Sequence, residues 1–369
     1  MKVAIGSTIK EGPWGGGNLF VNNLYLYLKK NKHEVFFDLL NKNLDVILLT
    51  DPRKESLNST FDHIDISNYL HNINSKAIVV HRINECDERK NTNYINDFYL
   101  EANKIADHTV FVSNWIKKIY SKNNSELKNS SVIMSGSDKN IFNSKNLNKW
   151  NSSKKLKIVT HHWGSNWNKG FDVYKKLDDL LVDDYWGKLI DFKYIGNLPE
   201  GFKFKNAEYV PPLSGIKLAE ELKTNHIYIT GSLNEPSGNH HIESSQCGLP
   251  LLYISSGGIP EFAKDYGLSY ELNNLEQKLE QIMSEYDKYL RKMTQYPFDS
   301  EKMCKEYQSL FIKLVENKQK TKPEQNNIYF KKITIFRISY RFKIFLRTNK
   351  LGKFILKKII YTKNILKFN

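Results

Sequence analysis

Short, almost unbroken apolar runs recur along this chain with longer mixed stretches between them, and no other feature limits the possible folds so tightly. In the first part they are KVAIGS at 2–7, EVFFDL at 34–39, DVILLT at 45–50, AIVVHR at 77–82, TVFVS at 109–113 and SVIMSG at 131–136. Between the first two, Phe20, Val21, Leu24 and Leu28 recur at helical spacing, which predicts an amphipathic helix from Asn18 to Lys30. Apolar strands separated by helices indicate a parallel sheet covered on both faces.

After Phe142 the stretch NSKNLNKWNSSKK is polar, has little to bury, and is the best candidate for a linker. The rhythm then restarts with LKIVTHHW at 156–163, a helix carrying Phe171, Tyr174, Leu177 and Leu181, then FKYIG, AEYVPPL, HIYITGS and PLLYISS. A second parallel α/β domain follows from it. The expected division is an N-terminal domain over 1–150, a C-terminal domain over 151–320 and a tail over 321–369. Two such domains side by side leave a cleft, and open α/β sheets bind ligands at the carboxyl ends of their strands.

With 369 residues, 40% of them apolar, either half can bury a core of its own. The net charge of +15 would suit a nucleic-acid binder if it were spread over the body. It is not: residues 326–369 hold twelve Lys and Arg and no acid, and the rest is close to neutral. Cys86, Cys247 and Cys304 are widely spaced, without a Cys-x-x-Cys, and argue against a disulfide framework or a zinc site. The start MKVAIGST turns polar too soon for a secretory leader, and no run approaches the length of a membrane span. A cytoplasmic location is expected.

The stretch NEPSGNHHIESSQCGLPLLYISSGGIPE, Asn234 to Glu261, carries the chemistry. Pro236 and Gly238 form a turn after the run HIYITGS, and a helix starting near Asn239 would aim its free N–H groups into the cleft. Such a terminus attracts phosphate. Glu235 precedes the turn and Glu243 lies one helical turn beyond it, so both carboxylates can grip sugar hydroxyls on either side of a diphosphate, as a nucleotide sugar would require. The plainer alternative is that both merely complement the helix dipole.

In this order, EPSGNHHIE followed by CGLPLLYISSGGIPE resembles the Glu-x7-Glu signature of GT4-type retaining glycosyltransferases. GGGNLFVNNLYLYLKKNKHEV resembles that family's first loop and helix, with Gly15 and Gly16 at the paired glycines and Lys32 where a glycine is usual. ADHTVFVSNW, SGSDKNIF and WNKGFDVY resemble three further segments. The resemblance spans residues 1 to about 315. It implies a GT-B fold of two Rossmann-like domains, the C-terminal one binding the nucleotide sugar and the N-terminal one the acceptor.

Residue by residue, it implies that Gly16 lets a main-chain N–H approach the diphosphate and that Lys169 offsets charge on the leaving group. Pro236, Ser237, Gly238, Asn239 and His240 form the phosphate-side turn, Glu235 holds the transferred sugar, and His81 acts as the cleft histidine of the N-terminal domain. The family's arginine at the end of the strand before Lys169 is missing. His161, His162 and Trp163 stand there, which implies either weaker diphosphate binding or a substitute in His162, Arg82 or another base. The doublets His161-His162 and His240-His241 lack a spaced third ligand, and the chain has no Asp-x-Asp, so neither a metal nor another cofactor is expected.

From Lys350, Leu351, Phe354, Ile355, Ile359, Ile365 and Leu366 fall on one helical face with Lys353, Lys357, Lys363 and Lys367 largely opposite. A basic amphipathic helix of this kind lies on an anionic membrane surface. Lys358 and Ile360 break the pattern, and the alternatives are a solvated tail or a helix folded onto the body, with nucleic acid the less favoured use of the charge. The expected function is transfer of a sugar from a nucleotide donor to a glycan or lipid-linked acceptor, with retention, in surface polysaccharide or lipopolysaccharide synthesis, by a peripheral enzyme at the cytoplasmic face. The alternatives are a GT-B-like nucleotide-sugar epimerase and a non-enzymatic binding protein with a basic tail.

Overall fold

The computed structural model describes residues 1–12, 14–56, 58–122, 127 and 129–320. The expected basic tail over 321–369 lies outside the described residues.

Strands of the first lobe are β1 (Lys2–Ile5), β2 (Glu34–Phe36), β3 (Val46–Leu49), β4 (Ile78–Ile83), β5 (His108–Phe111) and β6 (Ser130–Val132). Its helices are α1 (Gly16–Lys30), α2 (His63–Asn72), α3 (Asp87–Lys90), α4 (Ile95–Asn103) and α5 (Asn114–Ser121). The second lobe has β7 (Leu156–His162), β8 (Ile190–Gly196), β9 (Glu208–Val210), β10 (Ile227–Thr230), β11 (Leu251–Ile254) and β12 (Gly267–Tyr270). Its helices are α6 (Phe171–Leu180), α7 (Trp186–Leu189), α8 (Gly215–Lys223), α9 (Asn239–Gln246), α10 (Ile259–Ala263), α11 (Leu275–Ser284) and α12 (Tyr286–Met293); α13 (Ser300–Lys320) follows.

Each lobe is a parallel sheet of six strands with helices on both faces, as the unbroken apolar runs predict. The first sheet runs β2-β1-β3-β4-β5-β6 and the second β12-β11-β10-β7-β8-β9. Counted within its own lobe, the second is the 3-2-1-4-5-6 order of dinucleotide-binding folds, with its reversal between β7 and β10. The first reverses between β1 and β3. Both reversal points lie where the loops after β1, β7 and β10 leave their sheets, so the topology itself places a crevice there.

Helix α1 begins at Gly16, two residues before the predicted start. Its apolar stripe is the predicted one: Phe20, Val21, Leu24 and Leu28 are buried with Val3, Ile5, Val46 and Val80. Lys32, just past the helix, has a φ of 62°, the left-handed conformation a glycine would take without strain. The 143–155 segment is indeed a connector, but it is docked: Leu147 packs on the second lobe and the Trp150 ring meets Tyr286 edge-on at 5.6 Å.

One element departs from the expected layout. Helix α13, assigned by the boundary at 320 to the second unit, packs on the first. Met303, Cys304, Tyr307 and Phe311 join the core formed by β1, β3, β4 and α1. Full burial of each large side chain stabilises by about 2 kcal/mol, so this return is a firm attachment. Amphipathic spacing marks a buried stripe but not the surface that buries it.

Candidate functional site

The site is built on three loops. After β1 the chain must turn back into α1, and Asn18 shapes the turn by accepting from the Lys10 N–H and donating to the Lys10 carbonyl, both at 2.8 Å. Gly15 caps α1 with no side-chain hydrogen bond, leaving the first N–H groups of the helix open to the cleft. Across the cleft, Gly238 caps α9, again without a side-chain bond, at a φ of 72° that a larger residue would resist. The two helix starts almost touch: a Cβ on Gly16 would lie 3.0 Å from the Asn239 side chain.

Between them is a cavity of about 510 Å³. Gly15, Gly16, His162, Lys169, Glu235, Pro236, Ser237, Gly238, Asn239, His240 and Glu243, the candidates taken from the motifs, all line it. His81 does not. Strand β4 continues to Ile83, so His81 lies within the strand and its side chain turns to the α4 face. There its Nδ1 meets Asn103 Oδ1 at 2.9 Å, its ring stacks on Tyr99, and it is 0% exposed. It is a packed structural histidine, and its neighbour Arg82 is the residue that reaches the cavity.

Glu235 is 5% exposed and gripped from both lobes. Lys169, on a short turn before α6, donates to Oε1, and Arg89 of α3 donates to Oε2 at 3.3 Å. Burial alone would push this carboxyl up, but Arg89 and Lys169 hold it well below the usual carboxylate range. Burial lowers the Lys169 ammonium, with the Glu235 charge opposing. Arg89 in turn donates to Glu85 at 2.9 Å, so the contact is one link in an alternating chain of charges.

The histidines of the second lobe divide by strand alternation. His161 turns to α9, its Nε2 2.9 Å from Glu243 Oε2. His162 turns to α6, its Nε2 2.6 Å from the Tyr174 hydroxyl, with the His240 ring 4.6 Å away. Burial first, and then neighbouring positive charge, keeps His162 and His240 well below the usual histidine value. Both are neutral hydrogen-bonding groups at pH 7. Among the described residues no group of three or more His, Cys, Asp or Glu is placed to hold a metal ion.

The loop carrying Glu235 also ties the lobes together. Asn234 donates to the Glu88 carbonyl at 3.2 Å, and the Ser237 and Ser135 hydroxyls are 3.1 Å apart. Further out, Glu261 of α10 accepts from the N–H groups of Asn114 and Trp115 and so caps α5 of the other lobe. Arg89 and Lys90 were missed in the sequence. The available signal was the Glu85–Arg89 spacing, a helical i,i+4 ion-pair pattern with no motif attached.

No family model matches the sequence, and no curated protein matches it at a significant level. Solved structures do match. A sucrose-phosphate synthase from Thermosynechococcus elongatus aligns with a TM-score of 0.60 at 14% identity, over 86% of this chain and 99% of that one. HepE of Anabaena, in complex with UDP and glucose, aligns with 0.62 at 11% identity, over 84% and 99%. The chain has the GT-B fold. An α-glucosyltransferase in complex with UDP is a further GT-B neighbour, with a TM-score of 0.54 at 12% identity, over 85% of this chain and all of that one. In this GT-B chain the cleft between the two sheets is the crevice that the strand order sets up.

Proposed function

We propose that this protein is a GT4-like, retaining glycosyltransferase of the hexosyltransferase type. It moves a sugar from a nucleotide-diphosphate donor to a glycan or lipid-linked acceptor in surface polysaccharide or lipopolysaccharide synthesis. The observation that carries the reading is the buried Lys169–Glu235 contact set between two uncapped helix starts, α1 and α9, that face each other across the cleft. The solved neighbours that hold UDP or UDP-glucose support a nucleotide-sugar donor and make uridine nucleotides the first probes.

The chemistry follows from charge. Breaking the sugar–phosphate bond develops positive charge at the anomeric carbon and negative charge on the departing diphosphate. Open N–H groups of α1 and α9 and the Lys169 ammonium lie where the diphosphate would leave and need no reorganisation to meet it. Glu235 exchanges part of its ion-pair partnership for sugar hydroxyls, and Glu243, steadied by His161, takes the ribose. No metal is required for this arrangement. The first lobe takes the acceptor, the enzyme works in the cytoplasm, and the basic segment after residue 321 lies on the anionic inner face of the membrane.

A thermal-shift panel of nucleotide sugars on the wild type and on Glu243→Ala tests the reading. A ligand at a hundred times its Kd stabilises by about 2.7 kcal/mol, a shift that is easily read. The matching donor raises the wild-type melting temperature and leaves Glu243→Ala nearly unmoved; a wild type that responds to no nucleotide sugar overturns the proposal.

A further inference from the structure

The cations on the first-lobe wall of the cleft are not alike. Arg89 is bonded to Glu85 and Glu235, and Lys90 lies 3.3 Å from Glu85. Arg82 has no carboxylate within ion-pair distance among the described residues. It is only 4% exposed, and its Nε is buried without a hydrogen-bond partner. Its guanidinium carbon lies 4.0 Å from the centre of the Phe20 ring, and its polar neighbours are the phenols of Tyr307, in α13, and Tyr99. Burial pulls the guanidinium below its ordinary value, and Tyr307 opposes that only in part. An unpaired buried charge is costly to keep, and an arginine cannot escape the cost by releasing its proton at neutral pH.

Two features indicate what completes it. Arg82 lines the cavity that also holds Gly16 and Gly17 at the start of α1. Phe20, under the guanidinium, is one turn into the same helix, and helical side chains lean towards the N-terminal turn. The planar fork of Arg82 therefore sits beside open N–H groups, a combination suited to an oxyanion.

We propose that Arg82 and the first turn of α1 form a cradle for an anionic phosphoryl or carboxyl group, supplied either by the donor's diphosphate or by an acid-bearing acceptor. The proposal rests on the glycosyltransferase reading only for the source of the anion. In the first case Arg82 takes over, from the opposite lobe, the work of the arginine that is missing beside His162. Donor binding then draws on both lobes at once. In the second case the acceptor is selected for its acid group.

The experiment uses the full chain with Arg82→Met and Arg82→Lys, and measures calorimetric affinity for UDP, uridine and inorganic phosphate alongside melting temperature. For a donor-diphosphate cradle, Arg82→Met weakens UDP at least tenfold while uridine is unchanged. For an acceptor-acid cradle, UDP stays within twofold, but the UDP-saturated wild type binds inorganic phosphate at least tenfold more tightly than Arg82→Met does. In either case Arg82→Met without anion melts no lower than the wild type, since it removes an unpaired charge. Arg82→Lys keeps the charge without the fork and falls between the two. UDP and phosphate affinities within twofold of wild type in Arg82→Met overturn the cradle, as does a lowered melting point of that variant without anion. A wild type that ignores nucleotides but binds phosphate through Arg82 keeps the cradle and removes the glycosyltransferase reading; binding of neither removes both.

Discussion

The two walls of the cleft end sheets of closely similar design and carry opposite chemistry. The second-lobe wall presents buried histidines, Glu235 and Glu243, with Lys169 as the cation at its centre. On the first-lobe wall stand Arg82, Arg89 and Lys90 beside an open helix start. One wall is pre-neutralised and held by internal bonds; the other is positive and partly unsatisfied. A doubly charged ligand between them would be positioned by the second lobe and drawn in by the first.

The largest test of this contrast is Glu235→Ala. It strands the Lys169 ammonium in a dry site and releases Arg89, so unfolding free energy should fall by about 3 kcal/mol and transfer by about a hundredfold or more. Arg89→Ala should cost only about 1 kcal/mol, because its side chain is 28% exposed and Glu235 keeps Lys169. Denaturant midpoints and transfer rates of the two variants decide the matter. Equal losses would mean that the two walls grip Glu235 alike.

Acid should load both lobes next. Burial holds His241 of the second lobe at about 3 and His81 of the first at about 4, both below the ordinary 6.5. A group depressed on folding binds fewer protons folded than unfolded, so its stability is whole above about pH 6.5 and drains as pH falls towards the folded value. Each should cost about 2 kcal/mol by pH 5. Glu235, depressed from 4.5, contributes loss only below that point, so the interval from pH 7 to 5 isolates the histidines. Melting curves over that interval should flatten in His241→Phe and His81→Phe; an unchanged slope in either would show that its imidazole is already charged in the folded protein. Smallest is Glu261→Ala, which removes a half-buried cap shared across the lobes and should lower stability by about 0.5–1 kcal/mol by urea titration.

The sequence exposed this site unevenly, for physical reasons. A nine-residue stretch set Glu235, Gly238 and Glu243 in order, because a turn and a helix start are local events with local residue demands. Arg89 comes from 146 positions away on a one-turn helix, and nothing local marks it as a partner of Glu235. His81 does not reach the cleft because β4 goes on pairing with β5 through Ile83, which leaves His81 inside the strand with its ring on the α4 face. The same holds for the fold. Runs such as ILL and IVV announced their strands, whereas β12, with the sequence GLSY, has no apolar run and was passed over. Its place is set by pairing with β11.

Helix α13 gives the molecule a second crossing between its halves. The polypeptide travels from the first lobe to the second through 143–155 and comes back just before Ser300, so the halves are laced at two points rather than one. Near its end, Lys318 bonds the Ala77 carbonyl, ahead of β4 and at the rim of the first sheet farthest from the cleft. Lys318 thus pins the end of α13 behind the first sheet, on the opposite side from the loops that line the cleft.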